Sequence, residues 1–378
     1  MTNARLTRAE PGASIVDLPE LIAALPGAAR QRIERLYAVE RRVAETDPPR
    51  ELEPWLLSQF GSVEAIRRQQ VMGVTNIATG DATLFSQLRS RRPVQAPLLG
   101  QVSDIIAATR GDPFCTPETG TPAASWGRIR GRRMISGANA AAYEGHHGVL
   151  VFDEHDPTAF DVETVVDLLF TGRAWADAAR RTDPAAAYYL LMWNSLWRAG
   201  GSIVHGHAQV MLGRERHYGR VEQFRADAIA WRQRHETRLV DEIVATHGEL
   251  GLAIKLDGAH VLALLTPIKE RETWIVGALG ADEREPAFAE VVARVVLAYR
   301  DVLGVTAFNL ALWRPPIAEP GRGAQDWSDL PPVVRLVDRG DPGSRASDIG
   351  AMELFAASVV ASDPFALAAS LRSALAEA

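Results

Sequence analysis

The residues with the most evident chemistry lie between Gly200 and Met211, in the sequence GGSIVHGHAQVM. His205, His207 and Gln209 alternate with apolar residues, and this period of two predicts a strand over Ile203–Met211 with all three side chains on one face. The glycine-rich turn ahead of it offers free backbone N–H groups, which bind phosphate oxygens. Two buried, hydrogen-bonded histidines are the alternative interpretation. Three converging polar side chains favour phosphate chemistry, with an imidazole as nucleophile or base.

Three arginines follow a predicted turn in the first quarter of the chain. Thr79-Gly80-Asp81 lies between two short extended runs, and Arg89, Arg91 and Arg92 come after the second run. A solvated basic loop is the common structure of such a segment. Guanidinium groups also form two parallel charge-assisted hydrogen bonds to phosphate oxygens, so the same arginines are candidate phosphate ligands.

Both stretches resemble the galactose-1-phosphate uridylyltransferases, a nucleotidyl-transferring branch of the histidine-triad (HIT) superfamily. The family pattern of Asn, Gly-x-Ser and His-Pro-His-Gly-Gln is matched without a gap by Asn194, Gly200, Ser202, His205, His207 and Gln209. Gly206 and Ala208 stand where the family has proline and glycine. The arginine segment resembles the family's Asn-Pro-Leu-Thr-Gly and Ser-Pro-x-Arg-Ala-Lys-Arg-Pro. The resemblance covers roughly residues 72 to 375.

The resemblance implies a covalent mechanism centred on His207. In the family, the second histidine of the pair attacks the α-phosphorus of a UDP-sugar and carries the nucleotide. Ser202 and Gln209 would then bind the phosphoryl oxygens beside His205, and Arg89 and Arg92 would contact substrate phosphates. We expect a backbone carbonyl of the Gly200–Ser202 turn to hold the other ring nitrogen of the nucleophile.

Further substrate contacts follow from weaker matches. Asn194 opens the nucleophile motif, and Asn139 falls on a family asparagine that contacts the nucleoside, although Ala140 replaces the aspartate beside it. Glu353, in the sequence GAMEL, falls on a family glutamate that contacts sugar hydroxyls. An acidic residue in the first turn of a helix, where the helix dipole favours it, would explain Glu353 equally well.

A structural zinc site is also implied by the resemblance. The family's zinc half-sites correspond here to Asp112, Cys115, His155 and His205, with aspartate in place of one cysteine. This set of donors is able to bind zinc in a closed tetrahedral site. A buried cysteine and a hydrogen-bonded histidine would explain the same residues without a metal. No organic cofactor is expected.

The predicted fold class is α+β, with tandem HIT-like repeats whose antiparallel sheets form half-barrels flanked by helices. Residues 1–71 are predicted as a helical lead-in, with helices over Leu18–Leu25 and Ala29–Ala44. Residues 72–219 would form the catalytic HIT-like domain and residues 220–378 the second. Apolar spacing also predicts helices over Phe160–Arg181 and Val221–Ala245.

Composition excludes several classes of protein. The 378 residues carry a net charge of −6, which gives no electrostatic reason to expect a nucleic-acid partner. A single cysteine allows no internal disulfide and suits a reducing compartment. We find no signal peptide and no apolar run long enough to span a bilayer, so a cytoplasmic location without membrane association is expected. The resemblance implies a homodimer, because the family's segment around Glu353 reaches the partner subunit's active site.

Three functions are compatible with these residues. The first is transfer of a nucleoside monophosphate between a nucleotide-sugar and a sugar-1-phosphate or similar phosphate acceptor, by a ping-pong course. The second is a nucleotide phosphorylase or hydrolase of the same superfamily, which resolves the intermediate with phosphate or water. The third is a non-catalytic nucleotide-binding protein. Retention of His207 with Ser202 and Gln209 favours the enzymes, and the changes at Ala140 and Met352 keep the second function open.

Overall fold

The strands of the computed structural model, which describes residues 12–91, 100–318 and 325–376, form two open sheets. In these residues the strands are β1 (Tyr37–Glu45), β2 (Arg68–Asn76), β3 (Ala82–Phe85), β4 (Met134–Ala138), β5 (His146–Phe152), β6 (Tyr188–Asn194), β7 (His207–Gly213), β8 (Ala253–Leu256), β9 (Ala259–Ala263), β10 (Thr273–Gly277), β11 (Phe308–Trp313), β12 (Val333–Asp338) and β13 (Ser358–Val360).

Helices connect and cover these strands. In the same residues they are α1 (Leu18–Ala24), α2 (Gly27–Leu36), α3 (Glu53–Phe60), α4 (Glu64–Arg67), α5 (Val102–Ala108), α6 (Pro117–Gly120), α7 (Val162–Thr182), α8 (Gly219–His235), α9 (Leu239–Glu249), α10 (Pro286–Asp301), α11 (Ala351–Phe355) and α12 (Pro364–Ala376). None of these helices combines the length and the apolar character that a membrane span requires.

The larger sheet contains two copies of one strand arrangement, as the α+β tandem-repeat prediction requires. Its order is β4-β5-β7-β6-β11-β12-β10-β9-β8, and all neighbouring strands are antiparallel. Read toward the middle of the sheet, β4-β5-β7-β6 matches β9-β10-β12-β11, and β8 adds a strand outside the second copy. Each copy has two strands, a helix (α7 or α10) and two further strands in chain order. The copies meet where β6 pairs with β11, near the middle of the sheet.

Helices α7 and α10 pack on one face of this sheet, and α8 packs on the other face, where Phe224 contacts Trp274 and Trp313. A Cβ atom built on Gly172 in α7 would lie 2.4 Å from the Tyr189 hydroxyl and 2.9 Å from a Leu191 methyl, so α7 packs closely on that face of β6. Residues of opposite parity, among them Met192, therefore point away from α7. Gln209 pairs with Met192 across the β6–β7 ladder and shares its face. The chemistry-bearing residues consequently lie on the face opposite α7.

The N-terminal part differs from the predicted helical lead-in. Helix α1 confirms the prediction over Leu18–Leu25, but the predicted helix Ala29–Ala44 ends at Leu36 and continues as β1. Strand β1 pairs along its whole length with β2, which starts the smaller sheet β1-β2-β3-β13. This long-range pairing overrides the helix propensity of a segment rich in arginine, glutamate and alanine.

The long helix predicted over Val221–Ala245 is two helices. Helix α8 ends at His235, and Glu236 adopts a left-handed conformation with φ of 58° that breaks the helical path before α9. The predicted helix Phe160–Arg181 is confirmed as α7, capped by the Asp161 carboxylate, which accepts a hydrogen bond from the Thr164 N–H. The boundaries proposed at 71/72 and 219/220 stay a prediction.

Candidate active site

The strand that carries the candidate nucleophile begins at His207, not at Ile203 as predicted. The preceding Gly206 makes backbone hydrogen bonds to two other segments: its N–H donates to the His155 carbonyl at 3.1 Å, and its carbonyl accepts from the Phe152 N–H at 2.9 Å. A Cβ atom at position 206 would lie 2.9 Å from the Phe152 ring. Glycine is therefore the residue that allows the chain to pass this close to the end of β5.

His207 is held by a carbonyl two residues away. Its Nδ1 lies 2.8 Å from the His205 carbonyl oxygen, whereas we predicted a carbonyl of the Gly200–Ser202 turn. A carbonyl only accepts hydrogen bonds, so Nδ1 carries the proton and Nε2 carries the lone pair. Nε2 has no hydrogen-bond partner within the described parts of the chain. The ring is thus oriented so that the lone pair of Nε2 accepts no hydrogen bond from the described residues.

Burial keeps this imidazole neutral. His207 is only 7% exposed, and desolvation lowers its pKa below the ordinary value. The Phe114 ring stands edge-on to His207 with 5.1 Å between ring centroids. Phe114 packs with Ile135, Val149 and Val151 in a small apolar cluster over β5. At neutral pH the side chain is therefore a neutral imidazole beside an apolar wall.

Gln209 lies in a polar cluster on the same face. Its Oε1 accepts a hydrogen bond from the Tyr143 hydroxyl at 3.2 Å and lies 3.0 Å from His147 Nε2. The Asn139 amide nitrogen lies 3.0 Å from the same His147 nitrogen. Desolvation lowers the pKa of His147, which favours its neutral form. The structure thus joins the predicted residues Asn139 and Gln209 through His147 and Tyr143, to which the sequence assigned no role.

The loop ahead of His207 has unusual backbone conformations. Leu196 is buried with φ of 64°, a left-handed conformation that costs a non-glycine residue free energy, and Gly200 follows with φ of 97°. The buried Gly201 packs its backbone against the Leu196 carbonyl. Ser202 is exposed, and its hydroxyl has no protein partner in the described residues. The loop therefore presents a serine hydroxyl without a protein partner close in sequence to His207.

Asn194 is tied to the second repeat. Its Oδ1 accepts a hydrogen bond from Asn309 Nδ2 at 2.7 Å, and Nδ2 also donates to the Ala199 carbonyl. The Asn309 amide oxygen accepts from Arg339, which forms a bidentate ion pair with Asp348. This network crosses the seam between the repeats and fixes the loop before Gly200. No sequence motif pointed to Asn309 or Arg339.

Arg89 and Glu353 line one cavity of about 230 Å³ although 264 positions separate them (353 − 89). Arg198 and Lys269 also line it, whereas His207, Ser202 and Gln209 do not. Arg89 is exposed and has no ion pair among the described residues. Glu353 Oε2 accepts from the Gly350 N–H at 2.8 Å, so it also caps α11, as one of the two interpretations required. Arg92 lies outside the described residues.

The four predicted metal ligands converge. The donor atoms of Asp112, Cys115, His155 and His205 all lie within 4.8 Å of one another. The two Nδ1 atoms are 3.2 Å apart, Cys115 Sγ is 3.3 and 3.5 Å from them, and Asp112 Oδ1 is 3.8 Å from His205 Nδ1. Tetrahedral zinc, with bonds of about 2.0–2.3 Å, separates its ligand atoms by about 3.3–3.6 Å. The spacing fits such a centre.

The hydrogen bonds of these histidines favour a cation between them. His205 Nε2 lies 2.8 Å from the Phe152 carbonyl and His155 Nε2 lies 2.9 Å from the Ile106 carbonyl, so both Nε2 atoms are donors. Both Nδ1 atoms then direct lone pairs at each other, which is unfavourable unless a proton or a metal lies between. Asp112 Oδ2 is buried without a hydrogen-bond partner in the described residues, and a bound cation would satisfy it. The residues therefore fit zinc.

Comparison with solved structures identifies the fold. The architecture is similar to an ADP-glucose phosphorylase from Arabidopsis thaliana, with a TM-score of 0.60, 13% identity, and coverage of 79% of this chain and 97% of that one. It is similar to a uridylyltransferase with a TM-score of 0.54, 18% identity, and coverage of 80% and 98%. The chain has the uridylyltransferase-like HIT fold. No sequence model of a protein family and no curated protein sequence matches the chain.

A third structure with the uridylyltransferase-like fold is a GalT-like protein from Arabidopsis thaliana, with a TM-score of 0.58 and 13% identity over 79% of this chain and 97% of that one. The predicted fold class and the predicted resemblance are confirmed. At these identities the likeness concerns the fold, so the chemistry has to be argued from the residues of this chain.

Proposed function

We propose that this protein transfers a nucleoside monophosphate through a covalent intermediate on His207. The observation that carries the proposal is the hydrogen bond between His207 Nδ1 and the His205 carbonyl, which leaves Nε2 with a free lone pair. That nitrogen attacks the α-phosphorus of a nucleotide-sugar or related nucleotide in line and expels a phosphorylated leaving group. A phosphate acceptor then attacks the same phosphorus, and the electron pair of the N–P bond returns to Nε2.

Phosphate charge in this scheme is stabilised by protein groups. The Ser202 hydroxyl and the Gln209 amide nitrogen would donate to the equatorial oxygens. The N–H groups of Gly200 and Gly201, which the sequence predicted to be free, instead donate to the carbonyls of Trp197 and Leu196. Asn139 would contact the nucleoside and Asn194 would hold the Gly200 loop through Asn309. Fixed donors of this kind need no rearrangement when the charge develops, so they lower the barrier in the transition state.

A homodimer would complete the active site. Arg89 and Glu353 lie together at a cavity that His207 does not line. Helix α11, which contains Glu353, exposes 65% of Leu354 and 84% of Phe355. Apolar side chains exposed to this degree are typical of a protein interface. We infer that Arg89, Arg92 and Glu353 act on the substrate phosphates and the sugar or acceptor in the partner's site.

Zinc held by Asp112, Cys115, His155 and His205 would be structural. Four protein ligands close the coordination sphere and leave no position for substrate. When bound, the ion supplies a rigid link between the loop of Cys115 and the end of β5. His205 would then be fixed through its side chain while its carbonyl orients His207. The steps of the transfer themselves would be performed by amino-acid side chains.

A nucleotide phosphorylase or hydrolase is the second candidate. The geometry at His207 serves the first half-reaction equally well in both cases. The absence of aspartate at position 140 and the replacement of an aromatic residue by Met352 weaken the sugar contacts of the resembled family. Inorganic phosphate or water would then resolve the intermediate in place of a sugar phosphate.

Radioactive labelling separates the candidates. The protein is incubated with UDP-, GDP- and ADP-glucose labelled at the α-phosphorus, and acid-labile, base-stable label on the protein is measured. We expect label with at least one nucleotide, and discharge by a sugar phosphate identifies the transferase. Discharge only by phosphate or water identifies the phosphorylase or hydrolase. Absence of label with all three nucleotides would contradict covalent catalysis with these donors.

A further inference from the structure

A second cavity of about 350 Å³ lies on the same sheet face as Gln209. Met192, Ala311 and Arg335 form part of its floor and lie side by side, because Met192 pairs with Ala311 and Ala311 pairs with Arg335. Gln209 pairs with Met192 at the end of the same row. The cavity therefore begins one strand away from the glutamine proposed to bind phosphoryl oxygens.

The walls of this cavity are apolar. Side chains from β6, β11, β12 and the loop before β10 supply them, namely Leu190, Met192, Ile268, Ala311, Trp313 and Val337. Arg335 contributes a flat surface more than a free charge, because its guanidinium lies 4.3 Å from the Trp313 ring centroid and pairs with the buried Glu272. Hydroxyl groups placed against such walls would lose their hydrogen bonds to water without replacement.

Polar side chains also line the cavity. One is Asn309, whose amide already binds Asn194 of the nucleophile motif. Another is Arg220, which is exposed and has no ion pair in the part of the chain that the structure describes. A ligand with an apolar body and an anionic group would match this lining. Its volume falls in the range of about 300–1,000 Å³ that small-molecule sites occupy.

We propose that this cavity binds the organic group of the phosphate acceptor, and that this group presents a planar apolar face, such as an aromatic ring, in place of a sugar. The proposal rests on the function proposed above and names its acceptor class. An oxygen of the acceptor's phosphate dianion attacks the nucleotidyl phosphorus, the new P–O bond forms as the P–Nε2 bond breaks, and Nε2 of His207 recovers its electron pair. The product is a diphosphate diester.

Acceptor competition tests the proposal. Labelled protein is mixed with phenyl phosphate, glucose 1-phosphate or inorganic phosphate, and the rate of label release is followed. We expect phenyl phosphate to reach half-maximal label release at a concentration at least about tenfold lower than glucose 1-phosphate does. The reason is that burial of an apolar ring contributes more than about 1.4 kcal/mol to binding. Preference for glucose 1-phosphate would overturn the proposal.

A cavity-filling variant supplies the control. Ala311→Leu places a branched side chain in the floor of the cavity, whereas Ala230→Leu makes the same change at an exposed position of α8. We expect Ala311→Leu to reduce phenyl phosphate discharge at least about tenfold more than phosphate discharge, and Ala230→Leu to change the ratio of the two rates little. An equal effect of Ala311→Leu on both acceptors would contradict the assignment.

Direct binding keeps the two proposals separable. Isothermal titration of phenyl phosphate into unlabelled protein measures occupancy of the cavity without any reaction at His207. Binding to the natural protein and at least about tenfold weaker binding to Ala311→Leu support the cavity even if no nucleotide labels the protein. Failure to label His207 would contradict the proposed function. Equal affinity of the natural protein and Ala311→Leu for phenyl phosphate, or no binding to either, would contradict the cavity assignment.

Discussion

His205 serves two neighbouring parts of the site through different atoms. Its carbonyl accepts from His207 Nδ1, and its ring presents Nδ1 to the Cys115 sulfur at 3.5 Å. Gly206 connects the two histidines and donates its N–H to the carbonyl of His155, which is itself a proposed metal ligand. The orientation of the proposed nucleophile and the geometry of the proposed metal ligands are therefore set by the same three-residue segment.

Substitution of Gly206 by proline, the residue of the resembled family, should be harmful here. Proline removes the N–H that donates to His155 and places a ring against Phe152, where a Cβ atom alone would come within 2.9 Å. A lost hydrogen bond and overpacking together cost about 2–4 kcal/mol of the free energy of unfolding. Denaturant titration measures this loss.

Gly27→Ala is the matched control, because a Cβ atom there would meet nothing within 4 Å. Its free energy of unfolding should change by less than about 1 kcal/mol. If Gly206→Pro unfolded with the same free energy as the natural protein, the described approach of Gly206 to Phe152 would be incorrect.

Sequence spacing selected most residues of the site but not their connections. The His-x-His-x-Gln pattern was sufficient to single out His207 and Gln209, yet it extended the strand over Ile203 because parity alone does not show where backbone pairing stops. The partner of His207 Nδ1 is a backbone carbonyl, which leaves no mark on side-chain identity. Tyr143 and His147 were missed because they reach Gln209 from another strand and its loop.

At the scale of elements, the loop of Asp112 and Cys115 is held to β5 and β7 by the apolar cluster of Phe114 and by the proposed metal ligands. Cys115→Ser should remove a good zinc ligand while it keeps the side-chain volume nearly constant. We expect zinc content near one per chain in the natural protein and strongly reduced content in the variant. A ligand present at about 100 times its Kd adds about 2.7 kcal/mol to the free energy of unfolding. The thermal midpoint of Cys115→Ser should therefore lie several degrees below that of the natural protein.

Metal analysis by mass spectrometry, together with thermal unfolding with and without a chelator, checks this prediction. Ser90→Ala changes an exposed residue remote from these ligands in sequence. It is the control variant, and its metal content and thermal midpoint should equal those of the natural protein. Freshly purified natural protein without any bound metal would remove the zinc proposal and leave the paired Nδ1 atoms to share a proton.

Helices and strands of the repeats were largely predictable, and the exceptions have physical causes. The apolar stripe of α7 and its Asp161 cap are local signals, so its prediction was confirmed. The segment after Leu36 is rich in helix-forming residues, but its pairing with β2 depends on residues some 30 positions later. Glu236 breaks a helical pattern without a glycine or proline to mark it.

At the scale of the whole molecule, a second subunit is required by the proposed mechanism. Phe355→Ser should weaken the dimer, because it removes a side chain that is 84% exposed in one subunit. Leu279→Ser, which alters an apolar side chain 45% exposed in a different loop, should not. Sedimentation velocity compares the two variants. A monomeric natural protein that retains full transfer activity would contradict the composite site.

Mixed subunits test whether Arg89 acts across the dimer. His207→Gln and Arg89→Ala should each be inactive alone, since each site lacks either the nucleophile or the cation. Dissociation and reassociation of the mixture creates dimers with one intact composite site. We expect activity to return in the mixture, and failure to recover activity in verified mixed dimers would place Arg89 in its own subunit's chemistry or outside catalysis.

The buried His247 makes the stability of the chain depend on pH. Its Nδ1 lies 2.8 Å from the Ile243 carbonyl, its Nε2 accepts from the Leu265 N–H, and desolvation lowers its pKa to about 4. The unfolded chain binds a proton near pH 6.5 and the folded chain only near pH 4, so stability is lost as the pH falls through this interval.

This single group should reduce the free energy of unfolding by about 3 kcal/mol between pH 7 and pH 4. His247→Asn removes the titration, so its stability, although lower at pH 7, should decline less steeply. Urea unfolding of both proteins at several pH values measures the slopes. Parallel slopes would show that His247 does not carry the pH dependence.

The chemical identity of the labelled residue tests the central claim most directly. Protein quenched after reaction with an α-labelled nucleotide is digested at alkaline pH, and the modified peptide is sequenced by mass spectrometry. We predict a nucleoside monophosphate on the Nε2 atom of His207, and no adduct in His207→Gln at unchanged thermal midpoint. A nucleotide bound to any other residue, or an adduct that persists in His207→Gln, would contradict the mechanism.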